Sequence, residues 1–292
     1  LVSELTQRAI EQADPHVILL HAAGVSAPSG LGVETCHVIG LVGASGVGKT
    51  TAAVALGQAG WGYATDECLA VHSDLRVLPY PKPVCVLSEQ AAGDGDAKLV
   101  VGPDELGLAA ASGPLRLARL VALRRASDRP GAPLARPMPA LDAVALLVAQ
   151  SSGLTRAPRP LQRLVALLRA TGEMVALDYA DIGQLIAEPS LLVELLTPAP
   201  VGDAGDSGLD SHGGGPEPVP GVERLEPHLL DAVVDRHGAL VLREDATIRL
   251  GPATAQVWQA MLSGADDALT AYRRAWGEHA VGEHLRALDR QR

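Results

Sequence analysis

The sequence predicts an α/β domain followed by a small α+β domain. Short apolar runs alternate with helix-favouring stretches over the first two thirds of the chain, a pattern typical of layered α/β proteins. A glycine-rich run, GASGVGKT at 43–50, stands between one such apolar run and a helix. A stretch of Gly, Pro, Asp and Ser then divides the chain at 198–221. We therefore expect one domain at 1–197, a flexible linker at 198–221 and a second domain at 222–292.

The elements of the first domain can be placed in order. Residues 17–20 and 38–42 are continuous apolar runs that favour strands buried on both faces. Residues 49–59 favour a helix, and Gly60 is placed to end it. The later elements are a strand at 120–123, a helix that begins after Pro139 and a strand at 174–177.

Composition limits the partners that this chain can have. Acidic residues outnumber basic ones, 34 to 24, so a face that neutralises nucleic-acid phosphates is not expected. No apolar run approaches the ~20 residues that span a bilayer, so we expect no membrane association. Cys36, Cys68 and Cys85 are odd in number and lack paired metal spacing, which favours reduced thiols in a cytoplasmic protein. Composition leaves open whether the chain forms a homo-oligomer.

The glycine-rich run has the composition of a loop that wraps phosphate groups. Its glycines let successive backbone N–H groups face one point, and the following helix adds the positive end of its dipole. Lys49 would place a charge between the β- and γ-phosphates of ATP, and the Thr50 hydroxyl would hold Mg²⁺. Transporter ATPases, small-molecule kinases and bacterial-type protein kinases all fit this pattern. The residues predicted to bind the nucleotide are Gly43, Ala44, Ser45, Gly46, Val47, Gly48, Lys49, Thr50 and Thr51.

Four further side chains are candidates for the same site. Asp66 and Glu67 end a short strand beside the glycine loop, where one carboxylate can hold the metal and the other can receive the proton of an attacking hydroxyl. A solvated acidic turn is the alternative. His21 ends the run before the loop strand; a structural histidine is the alternative. Lys82 lies in the stiff segment PYPKP, from which it can aim its charge at substrate or phosphates, although an exposed loop lysine fits equally well.

Together these segments resemble a known family. The matching runs are LLHAAGV (19–25), GLVGASGVGKTTAAVAL (40–56), AGWGYATDECLAV (59–71) and LRVLPYPKP (75–83). They resemble the catalytic core of HPr serine kinase/phosphorylase and of smaller HPr-kinase-like proteins. The resemblance implies a P-loop core related to that of phosphoenolpyruvate carboxykinase. It also implies the activity of the HPr-kinase-like family, which transfers phosphate from ATP to a serine hydroxyl on a protein or peptide.

The resemblance also implies roles for individual residues. His21 matches the family's active-site histidine, Lys49 and Thr50 its phosphate and metal ligands, and Asp66 with Glu67 its acidic pair. Bifunctional members have two aspartates at the pair, so Glu67 is a departure. No counterpart of the segment that supports phosphorylase activity is found, so we expect kinase activity without much phosphate-driven reversal.

The C-terminal domain is predicted to contain a hairpin and three helices. The hairpin strands lie at 239–242 and 247–250, and helices follow from Pro252, at 269–276 and at 281–288. The run at 235–264 resembles the PqqD-like winged-helix module, which recognises leader peptides of ribosomally made, modified peptides by strand addition. A winged helix with a structural or oligomerising role is the alternative.

Three functions follow as hypotheses. The first is an ATP-dependent kinase that acts on a peptide or protein hydroxyl, with the C-terminal module presenting a precursor peptide. The second is a kinase for a free amino acid or sugar. The third is a regulator that senses a nucleotide without turnover.

Overall fold

The computed structural model describes residues 14, 16–29, 34–87, 98–126, 131–196, 216–219 and 228–262. Within these ranges the chain is a mixed α/β protein with four β-sheets and six α-helices. It divides into two compact units. The described residues of unit 1 fall within Leu1–Pro139, Leu146–Leu154 and Ala166–Gly205, and those of unit 2 within Ala140–Ala145, Thr155–Val165 and Asp206–Arg292.

Unit 1 contains three of the sheets. Its strands are β1 (Ile18–Leu20), β2 (Ala23–Ser26), β3 (His37–Val42), β4 (Gly62–Thr65), β5 (Leu69–Val71), β6 (Val77–Leu78), β7 (Val84–Leu87), β8 (Lys98–Val101), β9 (Arg116–Arg125), β10 (Leu134–Pro137), β11 (Ser151–Ser152) and β12 (Val175–Tyr179). The helices of the chain are α1 (Lys49–Gln58), α2 (Ala140–Ala149), α3 (Pro160–Thr171), α4 (Ile182–Ala187), α5 (Pro189–Leu196) and α6 (Pro252–Leu262), with a short 3₁₀ helix at Leu154–Arg156.

The largest sheet has six strands in the order β10-β12-β9-β3-β2-β4. Strands β12, β9 and β3 are mutually parallel, and the outer strands are antiparallel to their neighbours. The carboxyl ends of the three parallel strands therefore meet at one edge of the sheet, where ligands of open α/β sheets commonly bind. A second, antiparallel sheet has the order β11-β1-β5-β6, and β7 pairs with β8 alone.

Small residues allow the two larger sheets to pack closely. Gly24 of β2 and Gly40 of β3 are cross-strand partners, and both face Leu69 of β5. A Cβ atom on Gly40 would lie 2.7 Å from Leu69 Cδ2, so only glycine leaves room for that side chain. Ile39 and Leu41 project to the opposite face, where they join the core that α1, α4 and α5 cover.

Most predicted elements of unit 1 are confirmed. The apolar runs at 17–20, 38–42, 120–123 and 174–177 overlap β1, β3, β9 and β12, respectively. Helix α1 follows the glycine loop as predicted and ends before Gly60, whose φ of +94° is the left-handed conformation that terminates helices. Among the described helices, none is both long and apolar enough to cross a membrane.

Unit 2 contains an antiparallel sheet with the strand order β13-β14-β15-β16. Its strands are β13 (Glu217–Pro218), β14 (Leu229–Asp235), β15 (Gly238–Arg243) and β16 (Thr247–Leu250). The predicted hairpin is confirmed as β15 and β16, and the predicted helix from Pro252 is α6. Trp258 of α6 packs on the core formed by Val219, Leu229, Ala232 and Val241.

The interdomain segment differs from its prediction where it is described. Glu217 and Pro218 pair with β14, and the Val219 N–H donates to the Ala232 carbonyl at 3.0 Å. Residues 217–219 therefore add a strand to the edge of the unit 2 sheet, at positions where a flexible linker was predicted. The rest of the predicted linker and the predicted helices at 269–276 and 281–288 lie outside the described residues.

Candidate functional site

The glycine loop, residues 43–48, connects the carboxyl end of β3 to the start of α1. Gly46 and Gly48 have φ angles of +81° and +103°, which residues with a Cβ atom rarely adopt. A Cβ atom on Gly48 would also lie 2.8 Å from the Tyr179 hydroxyl. The loop backbone therefore follows a path that requires glycine at its last position.

The start of α1 leaves backbone donors without helical acceptors. Gly48 is the N-cap residue, and no side chain caps the helix. The first helical hydrogen bond runs from the Ala52 N–H to the Gly48 carbonyl at 2.8 Å, so the N–H groups of residues 49–51 precede the ladder. Such donors, together with the positive end of the helix dipole, favour an anion.

The side chain of Lys49 is buried beneath the glycine loop. Its Nζ donates to the Gly43 carbonyl at 2.7 Å and to the Ala44 carbonyl at 3.3 Å. Burial lowers the pKa of Lys49 from its usual value. The structure thus places a cation at the loop, and its hydrogen-bond acceptors among the described residues are neutral carbonyls.

Tyr179, the last residue of β12, supports the glycine loop by a hydrogen bond. Its hydroxyl donates to the Val47 carbonyl at 2.7 Å. Burial raises the pKa of this phenol, so it stays a donor. The sequence analysis did not identify Tyr179; its position just after the predicted strand at 174–177 is the signal that could have done so.

Asp66 lies in the turn after β4 and is buried, with 4% of its surface exposed. The Tyr63 hydroxyl donates to Asp66 Oδ1 at 2.9 Å. Burial raises the pKa of Tyr63 strongly, and the negative charge of Asp66 raises it further. Tyr63 therefore remains protonated and holds the carboxylate in one orientation. The sequence analysis missed this tyrosine as well.

Lys82 bridges the two predicted metal-binding carboxylates. Its Nζ lies 3.0 Å from Glu67 Oε2 and 3.4 Å from Asp66 Oδ1. Burial alone would lower the pKa of Lys82, but the hydrogen bond to Glu67 and the charge of Asp66 outweigh it, so the pKa is raised. The alternative of a freely exposed loop lysine is wrong, because only 14% of this side chain is exposed.

His21 directly follows β1 and is brought to the acidic turn by strand pairing. Strands β1 and β5 are antiparallel with Leu20 opposite Leu69, so His21 lies where the turn that precedes β5 ends. The His21 N–H donates to the Gln150 carbonyl at 2.6 Å, which fixes the backbone there.

The electrostatics of His21 connect the glycine loop with the acidic turn. Burial lowers its pKa from 6.5, and the positive charge of Lys49 lowers it further. The carboxylates of Glu67 and Asp66 act in the opposite direction, and Lys82 again lowers the pKa. All four charged groups therefore influence the protonation of this imidazole. We call these five residues the charged cluster.

The remaining predicted residues lie around the loop and the first turn of α1. Thr50 is partly buried beside Lys49. Thr51 is exposed on the helix surface, as are Ala44, Ser45 and Gly46 on the loop. Strand pairing sets Leu41 opposite Ala23 and Thr65 opposite Gly24, so the glycine loop and the acidic turn leave the sheet at the same edge.

The carboxylate pair, Asp66 and Glu67, offers the oxygen ligands that Mg²⁺ requires. Oxygen ligands from one or two carboxylates, completed by substrate phosphates and water, are usual for this ion. Asp66 and Glu67 already converge on one cation, the Lys82 ammonium, so both can reach a shared metal position. The residues present therefore fit the predicted metal.

A separate group of potential metal ligands lies at the opposite end of β3. The ligand atoms of Glu34, Cys36 and His37 lie within 4.8 Å of one another. Strand β3 has six residues, which separates this group from the glycine loop by roughly 20 Å. It is therefore no part of the charged cluster.

Comparison with known proteins does not assign the site. A scan against protein-family models finds no match, and a search of curated proteins also finds none. The chemistry of the charged cluster is therefore inferred from its own side chains.

Proposed function

We propose that this protein is an ATP-dependent kinase that transfers the γ-phosphate to a hydroxyl group, of the serine type, on a peptide or protein. The proposal rests chiefly on one observation. Strand pairing brings the glycine loop, which follows β3, and the Asp66–Glu67 turn, which follows β4, to the same edge of the six-stranded sheet. A phosphate-binding loop opposite a carboxylate pair has the groups that phosphoryl transfer needs.

The glycine loop and Lys49 would bind the triphosphate. The unpaired N–H groups at the start of α1 suit the phosphate oxygens, and Lys49 can exchange its carbonyl acceptors for these charged ones. Tyr179 would keep the loop in shape by holding the Val47 carbonyl. Each of these groups acts by position and charge, which dominates catalysis in this reaction class.

Asp66 would act as the general base. Its Oδ1 accepts from Tyr63 and Lys82, whereas Oδ2 has no partner within the described part of the chain. Oδ2 can therefore take the proton of the acceptor hydroxyl while the hydroxyl oxygen bonds to the γ-phosphorus and the bond to the β–γ bridging oxygen breaks, releasing ADP. Mg²⁺, held by Thr50 and Glu67 with Asp66, would supply positive charge to the phosphate oxygens.

The site supports the specific class that the sequence resembles. A histidine, a P-loop lysine and an acidic pair in one cluster are what the HPr-kinase-like resemblance implies, so we propose a P-loop core of that kind. Glu67 reaches the shared cation through Oε2, which supports a metal-binding role despite its departure from aspartate.

Unit 2 would present the substrate. We propose that its sheet and α6 form a PqqD-like winged-helix module. Among the described strands β16 is an edge, and 39% of Ile248 in this strand is exposed. An extended leader peptide can add to such an edge through backbone hydrogen bonds.

Two substitutions test the kinase proposal. ATP with Mg²⁺ at ~100 times its Kd should stabilise the protein by about 2.7 kcal/mol. Lys49→Ala should abolish this stabilisation because the loop loses its charge. Asp66→Asn should retain nucleotide binding and lose phosphoryl transfer, measured with γ-labelled ATP. Equal loss of binding and transfer in Asp66→Asn would refute the assignment of Asp66 as the base.

A set of different phosphate acceptors distinguishes the peptide kinase from the small-molecule kinase and the nucleotide-sensing regulator. Unstructured serine-containing peptides, free amino acids and free sugars should be compared under the same conditions. Robust turnover of the small molecules with inert peptides would establish the small-molecule kinase instead. Tight ATP binding without turnover of any acceptor would favour the nucleotide-sensing regulator.

A further inference from the structure

Lys82 occupies the position between the two carboxylates that a divalent cation would need. Its Nζ contacts Glu67 Oε2 at 3.0 Å and Asp66 Oδ1 at 3.4 Å, and the side chain is largely buried. A metal ligated by the same two oxygens would lie between them at about 2.0–2.6 Å from each. The ammonium and the metal would then share one space and carry like charges, so they cannot both be held there.

The backbone of Lys82 is fixed relative to the acidic turn. The Tyr80 N–H donates to the Ala64 carbonyl at 2.9 Å, which ties the segment to β4 just before Asp66. The Lys82 N–H donates to the Tyr80 carbonyl at 2.9 Å, and prolines flank Lys82 on both sides. The segment therefore cannot easily withdraw, and only the flexible side chain can vacate the position.

We propose that Lys82 is an internal counter-ion that competes with the divalent metal for Asp66 and Glu67. This inference rests on the proposed function, because it takes the carboxylate pair as the metal site. A metal ion that binds alone must break the ion pairs of Lys82 with Asp66 and Glu67, and the ammonium then remains beside the metal. A metal ion that arrives with a triphosphate also brings phosphate oxygens, with which the displaced ammonium can pair.

The consequence is a preference for the metal–nucleotide complex over the free metal. Without Lys82, two buried or partly buried carboxylates would lie close together with no cation between them, an arrangement that binds divalent ions readily. With Lys82 present, this charge is neutralised until a triphosphate offers the ammonium an alternative partner. Lys82 thereby holds Asp66 and Glu67 close together, as the metal–nucleotide complex requires, while it weakens binding of the free metal ion.

Binding of Mn²⁺ to the full chain without nucleotide, measured by electron paramagnetic resonance, tests this inference. Lys82→Met should bind Mn²⁺ at least about ten-fold more tightly than the wild type, since a charge within ~4–6 Å shifts ion binding by a factor of ten or more. Arg76→Met removes a positive charge from an exposed residue that bridges Arg116, opposite His37 at the amino end of β3, and should leave the affinity unchanged. Adding Glu67→Gln to Lys82→Met should abolish the gain.

Equal or weaker Mn²⁺ binding by Lys82→Met, compared with Arg76→Met, would overturn the inference. Lys82→Gln provides the same comparison should the Met variant fail to fold. The two proposals fail separately. Wild-type protein that binds Mn²⁺–ATP while Lys82→Met shows no gain contradicts the counter-ion role alone. Absence of Mn²⁺–ATP binding contradicts the kinase proposal, whatever the affinity for Mn²⁺ alone.

Discussion

Replacing Tyr63 with phenylalanine removes a single hydroxyl from beneath the acidic turn. That hydroxyl is buried and donates to Asp66 Oδ1 at 2.9 Å. Tyr179 offers a matched control, because its hydroxyl makes a bond of similar length, 2.7 Å, to the neutral carbonyl of Val47. The two substitutions delete the same atom and differ mainly in the charge and burial of the acceptor.

The expected costs follow from that difference. A hydrogen bond to a charged group contributes about 1.5–3 kcal/mol, whereas one between neutral groups contributes about 0.5–1.5 kcal/mol. Asp66 is buried, so water replaces the lost donor poorly, although Lys82 remains nearby. The Val47 residue is only partly buried, so water can reach it more readily. We therefore expect Tyr63→Phe to cost about 2 kcal/mol and Tyr179→Phe about 1 kcal/mol or less.

Equilibrium urea denaturation measures both values, provided that the signal comes from unit 1. Trp61 is buried in the core of this unit, and the other two tryptophans are Trp258 and Trp276. Replacing these two with phenylalanine leaves Trp61 as the fluorescence reporter for unit 1. Two-state behaviour can then be checked for this unit separately, because a chain of two compact units need not unfold in one step.

The comparison between the two tyrosines decides the outcome. A Tyr179→Phe cost equal to or larger than that of Tyr63→Phe would refute the claim that Tyr63 supports a buried carboxylate. A Tyr63→Phe variant with the same free energy of unfolding as the wild type would refute it as well. Under the kinase proposal, Tyr63→Phe should also lower the rate of phosphoryl transfer more than it weakens nucleotide binding, because it frees the orientation of Asp66.

Two further predictions concern His21 and the edge strand of unit 2. The folded-state pKa of His21 is lowered from 6.5, so the unfolded chain binds the proton more readily. As pH drops below about 6.5, the free energy of unfolding of the wild type should therefore fall relative to that of His21→Asn, whereas above this pH the difference between the two should stay constant. Urea midpoints at several pH values check this, and a constant difference across the range would contradict it. Ile248→Lys should weaken phosphorylation of a leader-bearing peptide and leave that of a small acceptor unchanged, since a lysine on an edge strand opposes strand addition. His237→Lys, in the β14–β15 turn, is the control, and equal loss in both variants would exclude β16 as the peptide-binding edge.

The sequence was informative wherever chemistry is local. The apolar run of β3, the glycines after it and the helix from Lys49 depend on neighbouring residues, so their order could be predicted. Gly60 ends α1 for the same reason, and the hairpin of β15 and β16 follows from its alternation and its turn. Several elements were not predicted, among them β2, β7, β8, β10, β14 and α3. The strand at 217–218 was missed because its pairing with β14 depends on a partner further along the chain.

The site was predictable residue by residue but not as an arrangement. Lys49, Asp66 and Glu67 were identified from composition and spacing, yet neither of the two tyrosines that hold the loop and the acidic turn was found. Tyr63 reaches Asp66 because both flank the end of β4, and Tyr179 reaches the loop because β12 is two strands away from β3 in the sheet. Contacts of the second kind depend on strand order, which no local pattern encodes.

By itself the sequence determined which residue types were present for phosphate and metal chemistry and which local elements carry them. Only the tertiary structure decided that these residues meet. Antiparallel pairing of β1 with β5 carries His21 to the acidic turn, and the hydrogen bond between Tyr80 and Ala64 carries Lys82 there. The physical reason is that hydrophobic periodicity specifies the buried face of each strand, whereas the neighbours of a charged side chain depend on which strands pair and in which register.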